Sequence, residues 1–132
     1  PPDTLRKIDI LVVNEPEAEL VAGLCACPSD ASSLAAALGT GVIRTLGADG
    51  VEACIDSTAY RVAGIPVNAV DTTAAGDCFI GVLAAELDAG HEIGASLRRA
   101  TAASALTCTR RGSQTSLPSA AEVDDFLSLI RA

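Results

Sequence analysis

The order of strand-like and helix-like segments constrains the fold of this chain more than any other feature. The run IDILVVN (8–14) is short, apolar and rich in β-branched residues, which predicts a buried strand. It is followed by EPEAELVAG, in which Pro16 lies in a predicted first helical turn among acidic residues and Gly23 lies just past the predicted end. A strand that leads directly into a helix is therefore predicted here.

The next segments continue this alternation. The run DASSLAAALG (30–39) predicts a second helix, with Asp30 as its N-cap and Gly39 as its C-terminal stop. GVIRTLG (41–47) predicts another strand, and the strand-rich pattern continues through VEACID (51–56), TAYRV and IPVNAVD. Strands that alternate with helices predict an α/β architecture.

The second half of the sequence is predicted to be helical. From Gly76 onward, apolar residues recur at spacings of three and four, which predicts one buried stripe along a helix. The stripe consists of Phe79, Val82, Leu83 and Leu87. A long helix rich in small residues is predicted over 92–112, and a last helix is predicted to open with a Ser119–Glu122 capping box. The predicted buried face of that last helix is Val123, Phe126, Leu127 and Ile130.

Composition and charge limit the partners of the chain. The hydrophobic share is 49% but the aromatic share only 2%, so a core must be packed from Ala, Val, Leu and Ile. The net charge is −8 and Lys7 is the only lysine, so nucleic acids and anionic membranes are poor partners, because binding to a polyanion needs clustered cations. No apolar run is long enough to predict a transmembrane helix. Five cysteines form an odd set without the spacing of a disulfide framework, which predicts reduced thiols in a cytoplasmic protein.

The stretch DTTAAGD (71–77) is the segment that most strongly indicates chemistry. Residues 72–76 are small, and Gly76 can take backbone angles that are closed to other residues. A loop of small residues that opens a helix points several peptide N–H groups outward, where the helix dipole adds positive charge, so an anion site suited to phosphate is predicted. Asp77 is either a helix cap or the general base for a hydroxyl that attacks a phosphoryl group. The residue pattern leaves both roles open.

Four motifs resemble those of one known family, in the family's order. DTTAAGDCFIG is similar to the C-terminal signature D-T-x-G-A-G-D of the ribokinase-like (PfkB) carbohydrate kinases, with Ala74 where most members have glycine. NEPE (14–17) resembles the family's N-x-x-E motif, and TLGADG (45–50) resembles its nucleotide-binding strand and turn. TRRGSQTSLP (109–118) resembles a loop near the family's C-terminus. The resemblance covers essentially the whole chain.

The resemblance implies a fold and an activity. Residues 1–132 would form the C-terminal half of a ribokinase-like, Rossmann-type three-layer α/β/α domain, without the N-terminal sugar-binding half and lid. At full length, the protein would transfer the γ-phosphoryl group of ATP to the primary hydroxyl of a sugar, with D-ribose favoured by AAGD and TRRGSQ. Fructose, a keto-deoxy sugar acid or a nucleoside is the alternative acceptor, and a non-catalytic nucleotide-binding remnant is the alternative to an enzyme. The expected partners are the N-terminal half of the same domain and a second copy in a homodimer, and this segment alone is expected to be inactive.

Roles for single residues follow from the same resemblance. Asp77 would be the base that takes the proton of the sugar hydroxyl, and the N–H groups of Ala74, Ala75, Gly76 and Asp77 would form the anion hole. Asn14 and Glu17 would arrange phosphate, Mg²⁺ and its waters. The implied ATP-binding positions are Asn14, Thr45, Leu46, Gly47, Ala48, Asp49, Gly50, Gly76 and Thr101.

A monovalent-cation site is also implied, at which K⁺ would be bound in large part by backbone carbonyls. The residues that match it are Asp71, Thr73, Thr107, Arg110, Gly112 and Ser116. Simpler structural roles remain open for some of the implied site residues. Asn14 could be a helix cap, Glu17 a first-turn acid that favours the helix dipole, and Asp71 and Thr73 turn formers.

Overall fold

The computed structural model describes residues 9–72, 74–110 and 118–131, which divide into two units at Ala63. The first unit contains a four-stranded sheet and two helices. Its elements are β1 (Ile10–Asn14), α1 (Glu15–Cys25), α2 (Ala31–Leu38), β2 (Gly41–Thr45), a 3₁₀ turn (Gly47–Asp49), β3 (Gly50–Ile55) and β4 (Thr58–Ala63). The second unit contains three helices, α3 (Ala75–Asp88), α4 (Ile93–Cys108) and α5 (Ala120–Arg131).

The sheet has the order β1-β2-β3-β4 and is mixed. Strands β1 and β2 are parallel, with Ile10 opposite Gly41 and Asn14 opposite Thr45, and α1 and α2 form the crossover between them. Strands β2, β3 and β4 follow one another antiparallel. The predicted α/β architecture is therefore confirmed.

Helix α1 begins where predicted but ends later. Asn14 is its N-cap and Pro16 lies in its first turn. Gly23 does not end it, because the helix continues to Cys25 and stops at Ala26, which has a left-handed φ of 53° and donates its N–H to Ala22 O. The prediction of a stop at Gly23 was wrong because one glycine inside a helix costs only about 1 kcal/mol, which packing offsets.

The core of the first unit is aliphatic, as the composition predicts. Helix α2 has the predicted caps, with Asp30 Oδ2 accepting from Ser33 N at 3.1 Å and Gly39 left-handed at φ 67°. The two helices pack on one face of the sheet through small and branched side chains. The buried members are Val13, Ala18, Ala22, Ala31, Leu34, Leu38 and Val42.

The predicted strand over IPVNAVD is wrong. Residues 64–71 form no regular element, although their composition is typical of a strand. Pro66 has no N–H to give a sheet, and the N–H groups of Val70 and Asp71 both donate to Cys108 O, at 2.6 and 3.1 Å. The end of α4 therefore takes the hydrogen bonds that a neighbouring strand would need.

The second unit has the predicted helical faces. Phe79 and Leu83 are buried and Val82 and Leu87 half-buried, so the stripe on α3 is confirmed. Helix α4 ends at Cys108 rather than at 112, and residues 111–117 lie outside the described part of the chain. No helix among the described residues is long and apolar enough to cross a membrane.

Helix α5 opens with the predicted capping box. Ser119 N donates to Glu122 Oε1 at 3.0 Å, and Glu122 N donates to Ser119 Oγ at 3.2 Å. On its predicted buried face, Val123 is buried and Phe126 and Leu127 are half-buried. The side chain of Ile130, the fourth residue of that face, is not among those that the structure describes.

Candidate active site

The carboxyl ends of β1 and β2 bring two of the implied nucleotide residues together. Asn14 and Thr45 are partners in the strand register, and each is the last residue of its strand. Thr45 Oγ1 lies 3.4 Å from Val13 O and donates to it. The carboxyl ends of parallel strands are where open α/β sheets bind ligands.

Asn14 and Glu17 form a reciprocal capping box at the start of α1. Asn14 Oδ1 accepts from Glu17 N and Glu17 Oε1 accepts from Asn14 N, both at 2.9 Å. The cap and first-turn roles left open by the sequence are therefore both present, on residues that are exposed. Exposure keeps both side chains accessible to a ligand at this edge of the first unit.

The few acidic side chains of this region could bind Mg²⁺ only together with phosphate groups. Among the described residues, no group of three or more His, Cys, Asp and Glu side chains could hold a metal ion. Mg²⁺ commonly keeps several waters and takes one or two carboxylates together with substrate phosphates. Glu17, directly or through a water, suits that arrangement.

The segment TLGADG forms a tight turn between β2 and β3. Leu46 is buried and donates its N–H to Gly50 O at 2.8 Å, and residues 47–49 make one exposed 3₁₀ turn. Gly47 and Gly50 have φ angles of 59° and 98°, which side-chain-bearing residues rarely adopt. Both glycines are therefore required by the shape of the turn.

The N-terminus of α3 has no polar side chain as its N-cap. Ala74 occupies that position and makes no side-chain capping bond, and Ala75 N donates to Thr72 O at 3.2 Å. Within the described ranges, the N–H groups of Gly76 and Asp77 have no acceptor. Of the four N–H groups expected to form the anion hole, that of Ala75 is thus occupied, whereas those of Ala74, Gly76 and Asp77 bond to no described residue.

Asp77 is the third residue of α3 and its side chain is exposed. No residue in the described part of the chain makes a hydrogen bond or ion pair with its carboxylate. A capping acid would bond to backbone N–H groups of the first turn. Among the described residues, the Asp77 carboxylate therefore makes no capping bond.

Gly76 has an ordinary helical backbone. It is absent from the residues with positive φ, so the freedom of glycine to take angles closed to other residues is not used here. Apart from its chain neighbours and the backbone of its own helix, a Cβ built at Gly76 would meet no described atom within 4 Å, so packing among the described residues does not require glycine. What glycine provides is empty space beside the two open N–H groups.

The implied cation residues are described only in part. Asp71 N bonds to Cys108 O at 3.1 Å, which places Asp71 beside the end of α4, next to Thr107. Thr107 is buried and its Oγ1 donates to Ala103 O at 3.0 Å, so its backbone carbonyl is the group it could offer an ion. Thr73, Gly112 and Ser116 lie outside the described residues.

Arg110 is engaged in an ion pair that links α4 to α5. Its guanidinium bonds to the carboxylate of Glu122, and this contact holds the pKa of Glu122 at about 2. The backbone of Arg110 donates to Thr107 O at 3.1 Å. Any contribution of Arg110 to a cation site would therefore come from its carbonyl.

Thr101 is placed differently from the other implied nucleotide residues. Its side chain is 7% exposed, and its Oγ1 donates to Leu97 O at 2.8 Å within α4. This burial weighs against a direct contact between the hydroxyl and a nucleotide.

All five cysteines are free. Burial raises the pKa of the thiols of Cys78 and Cys108, the two nearest to the start of α3 and the end of α4. Both thiols therefore stay neutral near pH 7, and Cys78 packs as a small apolar residue in the core of the second unit.

Sequence reasoning missed one residue at the candidate site. Ser104 Oγ donates to Ala75 O at 3.1 Å, which ties α4 to the first turn of α3. The serine between Ala103 and Ala105 was the only signal, and a serine inside a helix has no preferred partner that the sequence reveals.

Comparisons with known proteins identify the family of the chain. Residues 2–120 match the model of the pfkB family carbohydrate kinases. The chain is 34% identical over 130 residues to a ribokinase of Haemophilus influenzae, covering 95% of the chain and 42% of that protein. It is 33% identical over 128 residues to a deoxyribokinase of Salmonella typhi, covering 93% of the chain and 42% of that protein.

Solved structures show the same fold. An Arabidopsis thaliana ribokinase complexed with ribose and ATP matches with a TM-score of 0.82 and 31% identity, over 96% of the chain and 43% of that protein. A candidate ribokinase II from Escherichia coli, in complex with ATP and Mg²⁺, matches with a TM-score of 0.85 and 29% identity, over 97% of the chain and 42% of that protein. The chain thus spans less than half the length of these relatives. The match over most of its residues shows that the chain belongs to the pfkB family of carbohydrate kinases.

Proposed function

We propose that this chain is the nucleotide-binding and base-bearing part of an ATP-dependent sugar kinase. The kinase transfers the γ-phosphoryl group of ATP to the primary hydroxyl of a sugar, with D-ribose as the favoured acceptor and ribose 5-phosphate as the product. The observation that carries this proposal is the start of α3, where two consecutive residues, Gly76 and Asp77, have N–H groups without an acceptor among the described residues and Asp77 adds an exposed carboxylate.

The chemistry of that turn supports phosphoryl transfer. The open N–H groups of Gly76 and Asp77 lie at the positive end of a 14-residue helix, which favours a bound phosphate. A carboxylate beside phosphate is repelled by it, so Asp77 at this point needs a function. Taking a proton from an attacking hydroxyl supplies one, because the carboxylate is then neutralised as the phosphoryl group is transferred.

ATP and Mg²⁺ fit the chain at a second place, the carboxyl ends of β1 and β2. The exposed pair Asn14 and Glu17 and the turn at 45–50 offer amide, carboxylate and backbone groups for a nucleotide and its hydrated ion. Bound Mg²⁺ would neutralise charge on the phosphates during transfer. The relatives solved with ATP, and with ATP and Mg²⁺, support this assignment.

The remainder of the kinase domain is expected to come from an N-terminal half. Among the described residues, β1 pairs with β2 alone, so one edge of an apolar parallel strand is open to another strand. Relatives more than twice as long as this chain support the presence of an N-terminal half that completes the domain. A cytoplasmic location and a homodimer at full length belong to the same proposal.

The acceptor sugar is tested by comparing rates across a panel. Relatives named ribokinase, deoxyribokinase and fructokinase all match the chain, so the family alone does not choose among them. We expect the full-length kinase to show its highest kcat/KM with D-ribose, measured beside 2-deoxyribose, fructose, a keto-deoxy sugar acid and a nucleoside. A higher value with any other acceptor would replace ribose in the proposal.

Potassium is expected to activate the full-length kinase well beyond sodium at equal ionic strength. Oxygen ligands with the single carboxylate of Asp71 suit a large monovalent ion, since a dication normally recruits more negative charge. Asp71 is tied to Cys108 O, and α3 begins four residues after it, so an ion there would steady the first turn of α3. N–H donors that are held in a more fixed orientation should raise kcat more than they lower the KM for ATP.

The cation site is tested by steady-state rates in chloride salts. Asp71→Ala should remove most of the activation by potassium and leave the dependence on Mg²⁺ unchanged. Equal activity in potassium, sodium and a bulky organic cation would show that the site is wrong, and Asp71 would then be a turn-forming residue.

A further inference from the structure

Ser104 makes a different hydrogen bond from the other hydroxyl residues of α4. Ser96, Thr101 and Thr107 each donate to the carbonyl four residues earlier in the same helix, at 2.7, 2.8 and 3.0 Å. This is the ordinary partner of a hydroxyl inside a helix. Ser104 Oγ instead donates to another helix, at Ala75 O, over 3.1 Å.

The acceptor belongs to the peptide unit that carries an open donor of the candidate site. Ala75 O and the N–H of Gly76 are the two ends of one planar peptide group, so holding the oxygen also fixes the direction of the N–H. A carbonyl that accepts a hydrogen bond becomes more polarised, and the N–H of the same peptide becomes a stronger donor. The Gly76 N–H has no acceptor among the described residues.

The residues around Ser104 suggest few other roles for its hydroxyl group. Positions 102, 103 and 105 are alanine, the residue with the highest helix propensity, and serine at 104 gives up part of that propensity. Ser104 is half-buried, so the hydroxyl is not there for solvation alone. Its bond to Ala75 O is the interaction that alanine could not replace.

We propose that Ser104 is a positioning residue for phosphoryl transfer, acting through the Ala75–Gly76 peptide. Its hydroxyl orients and polarises the Gly76 N–H so that this group donates to the phosphoryl group as negative charge develops on it. The inference rests on the proposed function of the α3 turn. It adds a residue outside the four family motifs, located one helix away from the reacting groups.

The test uses the full-length kinase with Ser104→Ala. We expect kcat at saturating MgATP and sugar to fall about 3- to 10-fold, with the KM for ATP within about twofold, because a donor preorganised for the transition state affects kcat more than ground-state binding. Ser104→Thr keeps the hydroxyl and should restore most of the rate. In a ¹H–¹⁵N spectrum, the Gly76 amide proton should move upfield in Ser104→Ala, since its peptide is then less polarised.

Ser96→Ala is the matched control. It also removes one hydroxyl-to-carbonyl bond from α4, but Ser96 does not contact α3 through that bond. It should leave kcat and the Gly76 amide unchanged even if it lowers the melting temperature more than Ser104→Ala does. A wild-type kcat in Ser104→Ala, or an equal loss of kcat in Ser96→Ala, would overturn the positioning role.

Asp77→Asn, assayed in parallel, separates this inference from the proposed function. Normal turnover in Asp77→Asn contradicts the proposed function itself. Loss of turnover in Asp77→Asn together with a wild-type kcat in Ser104→Ala contradicts the positioning role alone.

Discussion

Replacing Asp77 by asparagine in the full-length kinase is expected to lower kcat by about 10²- to 10⁴-fold, the range for loss of a general base. Asparagine has nearly the size of aspartate but cannot accept the hydroxyl proton at neutral pH. The Asp77 side chain is exposed and has no partner among the described residues, so the substitution breaks no contact of the fold. The KM for ATP should therefore change little, and the loss should be confined to kcat.

The matched control for this prediction is Asp88→Asn. Asp88 is the last residue of the same helix and is also exposed, so the variant loses the same charge at the end of α3 that is remote from phosphate. Its turnover should match that of the wild type. Turnover near the wild-type rate in Asp77→Asn would instead leave Asp77 as an ordinary surface acid.

Replacing Gly76 by alanine is expected to impair phosphoryl transfer by the kinase without weakening its fold. Outside its own helix, a Cβ at Gly76 meets no described atom within 4 Å, and the backbone is helical, so alanine should fit and stabilise α3 slightly. The same methyl group would enter the space beside the open N–H groups and displace a phosphate from them. We expect kcat/KM for ATP to fall at least about tenfold, since a displacement near 1 Å in a reacting complex can cost about 100-fold.

The control is Gly81→Ala in the same helix. Gly81 is exposed and a Cβ there also meets no described atom within 4 Å outside its own helix, so the two variants add the same group to the same helix in equally open positions. Thermal melts should show equal or higher stability for both variants, whereas initial rates should fall only for Gly76→Ala. Unchanged rates in Gly76→Ala would mean that no phosphate approaches this turn.

Local signals predicted the regular elements well. The caps of α2, the capping box of α5 and the buried stripe of α3 depend on side chains within a few residues of each other, and these were predicted from the sequence. For α1, the Asn14 cap was left open and the predicted end at Gly23 was wrong. The predicted strand over IPVNAVD failed for the opposite reason. The N–H groups of Val70 and Asp71 bond to Cys108 O, at the end of a helix far along the chain, and no local pattern reveals that partner.

The candidate site was predicted to a similar extent and for similar reasons. Asp77 and Gly76 lie within one short motif, so their proximity to a helix N-terminus follows from the sequence. The reason for glycine at 76 did not follow, because free space beside a helix depends on what packs around it. Ser104 could not be found at all, since its importance rests on which helix faces it.

The most direct test of the central claim, that Asp77 activates a sugar hydroxyl at the start of α3, is the fate of the γ-phosphate observed by ³¹P NMR. The full-length kinase is incubated with MgATP, D-ribose and potassium, and Asp77→Asn is treated identically. In the wild-type reaction, the γ-phosphate signal should be replaced by a phosphate monoester coupled to the two protons of a primary carbon, while ATP in the Asp77→Asn reaction stays intact over the same time. Equal formation of the ester by both proteins, or conversion of ATP to inorganic phosphate without any ester, would contradict the account.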